Sequence, residues 1–310
     1  MQPKVILICG PGRSGSTLLD RTLGQCDDFF SVGELMYIWQ RGLTENQLCG
    51  CGEAFKSCEF WTSVIKEAFG ELDELPLKEI LRLQRGVARV RTIITKPYHS
   101  RHRQFLVDFE RYVSTVEQLY AAIKKICGCS VIVDSSKEPS HLAILRELKN
   151  INLHVIHLVR DSRAVAYSWQ KKNVKNPAVY WKDDYLSSGL VRSALEWDLH
   201  HVVTSLLNDR KLPHRLLRYE DMAADLYDTL TNVLEDFDID SRNLSELFDE
   251  TTRSISFDKI NHTVSGNPMR FKYGKTIVQP DLEWKKNMKP SQKFVIVALT
   301  WPLLLRYGYL

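Results

Sequence analysis

The chain has 310 residues, of which 44% are hydrophobic and 26% charged, enough apolar material for a large core and too much for a disordered polymer. Its 42 basic and 38 acidic residues leave a net charge of +4, which excludes a general nucleic-acid binder and makes any attraction for anions local. Seven cysteines, an odd number with no secretory leader before them, and a longest apolar run (Phe294 to Leu305) that Pro302 interrupts point to a reducing, cytoplasmic setting with no membrane partner.

Val5 to Cys9 is an unbroken apolar run that predicts a buried strand, and after Gly10-Pro11-Gly12-Arg13 the segment 16–25 suits a helix. Phe29 to Val32 predicts a second, very short strand ahead of Gly33-Glu34. From about 50 to 127 the sequence is mostly helical, with heptad-like apolar spacing such as Ile80, Leu83, Val87 and then Phe109, Val113, Val116, and predicts an inserted cap. Three more strand-then-helix pairs follow: Val131 to Val133 with 139–149, Leu153 to Val159 with 163–173, and Arg215 to Tyr219 with 221–236. This alternation predicts the α/β class, a P-loop-type, doubly wound, mostly parallel sheet, in a single domain over 1–310 with a helical cap inserted at about 50–127. Pro, Gly, Asn and charges collect in 96–103, 173–186 and 262–281, which are expected to be flexible loops.

A strand that runs into a Gly-rich turn and then a helix converges backbone N–H groups and a helix dipole on one point, a place for an oxyanion. The loop is not that of a nucleoside triphosphatase, because G-x-x-x-x-G-K-S/T needs Lys where Ser16 stands and the only loop cation is Arg13. Arg160 ends the Leu153 to Val159 strand and should face the same crevice, since ligands of open α/β sheets bind at the strands' carboxyl ends. Ser168 and Lys172, four apart on one helix face, complete with it a clamp for a second phosphate, although Arg160 pairing with Asp161 or Glu220 is an equal alternative. If the Phe29 to Val32 strand lies beside the first one, Glu34 falls next to Arg13 and can accept a proton; otherwise it caps the next helix or pairs with an arginine.

The run Gly12-Arg13-Ser14-Gly15-Ser16-Thr17-Leu18 resembles the first signature of the sulfotransferases that use 3′-phosphoadenosine 5′-phosphosulfate, Pro-Lys/Arg-Ser-Gly-Ser/Thr-Thr, with Gly12 in place of the frequent Pro. Arg160 and Ser168 resemble the second signature, an Arg at a strand end and a Ser eight residues later. The likeness covers roughly 4–40, 130–172 and 214–221 and is closer to the bacterial, carbohydrate and tyrosylprotein branches than to the cytosolic one. It implies that the loop from Arg13 through Ser14, Gly15, Ser16, Thr17 and Leu18 holds the 5′-phosphosulfate, with Arg13 by the bridging oxygen, and that Arg160 and Ser168 hold the 3′-phosphate. Lys172 and Tyr219 would line the nucleotide pocket, and Arg270 would belong to a loop closing over it. Glu34 would be the catalytic base and Lys137 would stabilise the transferring group. The cytosolic branch has a catalytic His two residues after that Lys, but the position is Pro139 here, which leaves the nearby His141 as the second candidate base.

The activity so implied moves a sulfuryl group to a hydroxyl, or as second choice an amine, of a small-molecule or carbohydrate acceptor, with no metal required. Its rivals are a P-loop small-molecule kinase, for which Asp134 resembles the acidic Mg²⁺-binding residue, and a nucleotide-binding module without chemistry. Cys49, Cys51 and Cys58 offer three thiols, but their spacing departs from the usual C-x₂₋₄-C and no fourth ligand is evident, so they are read as packing residues with zinc as the alternative. Arg85, Arg89, Arg91, Lys96, His99, Arg101, His102 and Arg103 form either a solvated basic face or a surface for an anionic acceptor.

Overall fold

The computed structural model describes residues 2–95, 102–171, 189–208, 211–240, 242–249 and 253–310. Strand β1 (Lys4–Cys9), apolar from Val5 onward, lies in the middle of a five-stranded sheet ordered β2-β3-β1-β4-β5, flanked by β3 (Val131–Lys137) and β4 (Asn152–Val159). The outer positions belong to β2 (Phe29–Gly33) and β5 (His214–Arg218), and every pairing is parallel. A strand covered on both faces must be apolar throughout, which is why β1 reads as a continuous run, whereas β5 at the edge exposes His214, Arg215 and Leu216. The predicted short strand at 29–32 is present, but β3 stands between it and β1.

Successive residues of β1 feed two cores because side chains alternate across a strand. Val5, Leu7 and Cys9 join a cluster with Trp39, Trp61, Ile80, Tyr112 and Val116, while Ile6 and Ile8 join one with Leu19, Met222, Leu230 and Phe257. The first face is covered by α2 (Glu59–Phe69), α3 (Leu77–Val87), α4 (Val90–Ile94) and α5 (Arg103–Cys127), the predicted cap. Its apolar spacing thus packs onto the sheet itself. Replacing a buried Leu or Ile here by Ala costs roughly 2–5 kcal/mol.

The other face carries α1 (Ser16–Leu23), and α6 (Pro139–Leu145) and α7 (Ser162–Gln170) follow β3 and β4 as expected, each ending a few residues early. After α8 (Leu190–Leu207) and β5, the helix predicted over 221–236 is two helices, α9 (Tyr219–Ala224) and α10 (Leu226–Asp236). Asp225 between them is extended and its carboxylate accepts from the Asp228 amide at 3.0 Å, so a side chain that competes with the helix backbone splits the helix and caps its second half.

An antiparallel sheet of β6 (Phe248–Asp249), β7 (Ser254–Phe257) and β8 (Gly274–Ile277), then α11 (Glu283–Asn287) and α12 (Pro290–Arg306), complete the chain. The segment expected as a loop at 262–281 therefore contains a strand, and most of 96–103 and all of 173–186 lie outside the described residues. No helix among the described residues is long and apolar enough to cross a membrane. Cys127 and Cys129, to which the sequence assigned no role, pair across Gly128, whose left-handed backbone (φ 69°) turns the end of α5 back on itself.

Candidate active site

The phosphate-type loop leaves β1 through Gly10, at φ 147°, where a Cβ would stand 2.2 Å from the Leu158 carbonyl oxygen; only glycine lets the loop pass so close to β4. Arg13 (φ 69°) and Gly15 (φ 89°) are left-handed, and Gly15 begins α1 without any side-chain cap. A turn of this kind leading into an uncapped helix N-terminus presents N–H groups and the positive end of the dipole to an anion. A cleft of about 400 Å³ opens there. Arg13, Gly15, Ser16, Thr17, Leu18, Glu34, Lys137, Arg160, Ser168 and Tyr219 all line it, residues that the sequence spreads over more than 200 positions.

Glu34 and Lys137 meet directly as an ion pair, because β2 and β3 are neighbours and both residues stand at carboxyl ends. The condition for Glu34 to fall next to Arg13, β2 lying beside β1, does not hold because β3 intervenes, although both residues line the cleft. The Glu34 carboxylate also takes Arg41 Nη1 at 3.4 Å and the Ser265 hydroxyl at 3.2 Å. Burial pushes its carboxyl up, but the Lys137 ammonium and the Arg41 guanidinium outweigh burial and hold it below its ordinary value, so it is ionised at neutral pH. Lys137 itself is left-handed (φ 68°), which fits its place where the strand stops.

Arg160 is 5% exposed. Its Nη1 donates to the Arg13 carbonyl at 2.9 Å, its guanidinium lies 4.3 Å from the Tyr219 ring centroid, and its acidic partner is Asp281 at 3.1 Å, neither of the two carboxylates the sequence suggested. Asp161 instead caps α7 and pairs with Arg163, and Glu220 accepts from the Asp161 amide and the Tyr309 hydroxyl. Trp169, unforeseen, holds the Arg13 guanidinium 4.9 Å from its ring centroid, and a Cβ on Gly12 would come 2.8 Å from its indole.

Several expected residues are elsewhere. Ser14 is fully buried, its hydroxyl has no hydrogen-bond partner, and it does not line the cleft. Arg270 does not line the cleft: it is 1% exposed and its guanidinium donates to the carbonyls of Thr263 and Leu48, propping the chain behind the site, while Gly266, Asn267 and Met269 reach the opening. Lys172 lies outside the described residues, as do Lys96, His99 and Arg101 of the basic cluster; Arg85, Arg89, Arg91, His102 and Arg103 are exposed. His141 and Asp134 form a buried pair at 2.9 Å, joined by Tyr120, and Asp134 also accepts the Ser136 amide at 2.7 Å. Neither lines the cleft, and Asp134 has no exposed surface, so the geometry takes Asp134 out of the metal-binding role the kinase reading gave it and leaves His141 away from the opening.

Sequence reasoning missed His262, which stands with Cys49, Cys51 and Cys58 as a fourth potential ligand, 204 residues beyond Cys58. Asp281 and Ser265 were also missed. No local pattern signals them, since each acts on a residue more than 100 positions away.

Among curated proteins none matches the chain significantly. Of solved structures, the sulfotransferase domain from the curacin biosynthetic pathway is similar over 96% of this chain and 97% of its own, at 16% identity and a TM-score of 0.50, a likeness that speaks for the fold alone. The sulfotransferase domain of the Synechococcus olefin synthase matches at 18% identity and a TM-score of 0.42 over 96% of this chain and 93% of its own. The Mycobacterium tuberculosis sulfotransferase STF1 matches at 12% and 0.44 over 79% and 70%. A family model described as the sulfotransferase family matches residues 3–243, a span that holds the loop, Glu34, Lys137, Arg160 and Ser168. The chain belongs to the sulfotransferase family.

Proposed function

We propose that the chain moves a sulfuryl group from 3′-phosphoadenosine 5′-phosphosulfate to a hydroxyl, or as second choice an amine, of a small-molecule or carbohydrate acceptor. The observation that carries this reading is the Glu34–Lys137 pair, a carboxylate and an ammonium, in one cleft with a phosphate-type loop whose cation is Arg13. The residues fit a donor with two separate anionic groups. Loop and α1 offer one anion subsite, and Arg160, buried with its Nε lacking a hydrogen-bond partner and with Ser168 in the same cleft wall, offers the other.

When bound, the donor supplies an electrophilic sulfur and a phosphate leaving group. Glu34, ionised and within reach of the opening, accepts the acceptor's proton. Lys137 can trade its pairing with Glu34 for negative charge growing on the transferring group, and that trade raises the proton affinity of Glu34 at the moment it is needed. Arg13, fixed against Trp169, faces the loop end of the cleft and stabilises charge on the departing oxygen. The lining residues Tyr37, Arg41, Glu196 and His200 remain for the acceptor.

Thermal shift separates this reading from a kinase. Adenosine 3′,5′-bisphosphate at a hundred times its Kd should stabilise the fold by about 2.7 kcal/mol, and ATP–Mg²⁺ should do less. The reverse order would favour phosphoryl transfer. Arg160→Ala should weaken the bisphosphate more than adenosine 5′-phosphate, by about 1.5–3 kcal/mol for a lost charge-assisted contact. Equal weakening of both nucleotides would remove Arg160 from the 3′-phosphate subsite.

Asp281 occupies Arg160 in the structure, so an incoming phosphate must compete with its carboxylate. Asp281→Asn keeps the shape and deletes the charge. Calorimetry should show the bisphosphate bound about tenfold tighter, equivalent to about 1.4 kcal/mol. Weaker binding would mean that Asp281 holds Arg160 in place for the anion.

A further inference from the structure

We propose that Cys49, Cys51, Cys58 and His262 bind one zinc ion as a closed, structural site. The four residues' ligand atoms lie within 4.8 Å of one another. Cys58 Sγ is 3.3 Å and Cys49 Sγ 3.8 Å from His262 Nδ1, and Cys51 Sγ is 3.8 Å from Cys58 Sγ. Around a tetrahedral zinc with bonds of about 2.3 Å to sulfur and about 2.0 Å to nitrogen, neighbouring ligand atoms are separated by roughly 3.5–3.8 Å. The three separations are close to those of a coordination shell, all four ligand atoms lie close enough for one ion to draw them together, and the Cys51–Cys58 sulfur separation is nearly twice the S–S bond of about 2.05 Å that a disulfide would need. Three thiolates and an imidazole are the donor set that selects zinc over harder cations, and four protein ligands leave no open position for substrate.

The surroundings hold these atoms in place. The His262 ring stacks on Phe60 at 5.1 Å and its backbone carbonyl accepts from the Trp61 indole at 2.7 Å, so the residues just after Cys58 hold the histidine in place. Cys49 and Cys58 are buried, at 0% and 1% exposure. Gly50, between the first two cysteines, lies so close to the incoming segment that a Cβ would stand 1.8 Å from Asn261 Oδ1, which accounts for glycine at that position. Three thiol protons leave to solvent as the metal binds, giving a tris-thiolate imidazole complex of net charge −1.

The site joins two stretches far apart in sequence, the start of the cap and the segment 261–267, which also share a hydrogen bond from the Gly50 amide to the Thr263 carbonyl at 3.1 Å. From His262 that segment runs through Val264, which exchanges hydrogen bonds with β2 and Glu34, to Ser265, which bonds the Glu34 carboxylate. The metal therefore anchors the far end of the strand-like segment against which β2 ends. The proposal does not depend on the reaction assigned to the cleft.

The test is the metal content of full-length protein made without a polyhistidine tag and purified under reducing conditions, read by elemental mass spectrometry. About one zinc per chain is expected; a trace amount, or a Cys51–Cys58 disulfide in that protein, overturns the proposal. Cys58→Ser and His262→Ala should each lose the metal, and full retention in either overturns it. Should both variants fail to fold, the wild-type protein decides: a mercurial titration with a chromophoric chelator should release zinc in step with modification of three thiols, and cobalt substitution should give the intense visible bands of a tetrahedral thiolate complex. Zinc release without thiol modification, or a pale octahedral cobalt spectrum, overturns it.

Discussion

Glu34→Gln should leave adenosine 3′,5′-bisphosphate binding nearly unchanged and lower turnover by roughly 10²–10⁴, the contribution of a positioned general base. The amide keeps the shape of the side chain, and its oxygen can still accept from Lys137 and Ser265, so the cleft need not collapse. What disappears is the only group in that pair able to take a proton. His141→Ala provides the contrast. It leaves Asp134 buried with one partner fewer, so it should cost roughly 3–5 kcal/mol of stability as a broken buried pair while the folded fraction turns over normally. Full activity in Glu34→Gln with lost activity per folded molecule in His141→Ala would transfer the base role to the histidine.

Lys137→Met should depress kcat by roughly 10²–10³, the usual effect of deleting one preorganised group that stabilises transition-state charge. It carries a second signature with a definite sign. In the native protein burial raises the Glu34 carboxyl, and Lys137 and Arg41 bring it below its ordinary value; without Lys137 the burial contribution is opposed by less positive charge. The folded pKa of Glu34 therefore rises, and the acid limb of the kcat–pH profile, which reports protonation of the base, should move to higher pH. A residue that only shaped the cleft would lower kcat without moving that limb. An unmoved limb would separate Lys137 from Glu34 functionally.

The parts of this fold that were legible in the sequence are those where one stretch of chain obeys one constraint. β1 is covered on both faces and reads as an apolar run from Val5 to Cys9, β4 is buried from Leu153 onward and is mostly apolar with His154 and His157 among its residues, and the loop after β1 needs glycine at Gly10 because the β4 carbonyl leaves no room for a Cβ. Arg160 and Ser168 were legible because a strand end and a helix fix their separation. The neighbour of β2 was not legible, since a short apolar run carries no label for its partner, and with it the pairing of Glu34 with Lys137 went unseen. Asp225 illustrates the same limit within one helix: its apolar period continues across the break, and only the carboxylate's alternative hydrogen bond decides the split. His262 and Asp281 could not be found from pattern at all, because each meets its partners only once the sheet has formed.

The strand order also governs when the cleft can exist. β1 is synthesised first but both of its neighbours come more than 120 residues later, and β2 waits for the same β3. A chain emerging from the ribosome therefore holds its loop, Arg13 and Glu34 on two strands with no partners until Val131–Lys137 appears, and Arg160 arrives only at the end of β4. Pairings so distant in sequence carry the loop-closure entropy that makes parallel sheets slow to form, and the unpaired apolar β1 is exposed to association with other chains meanwhile. The segment that bonds Glu34 through Ser265 is later still. Nucleotide binding should accordingly be among the last properties a refolding chain regains, after the helical signal has recovered.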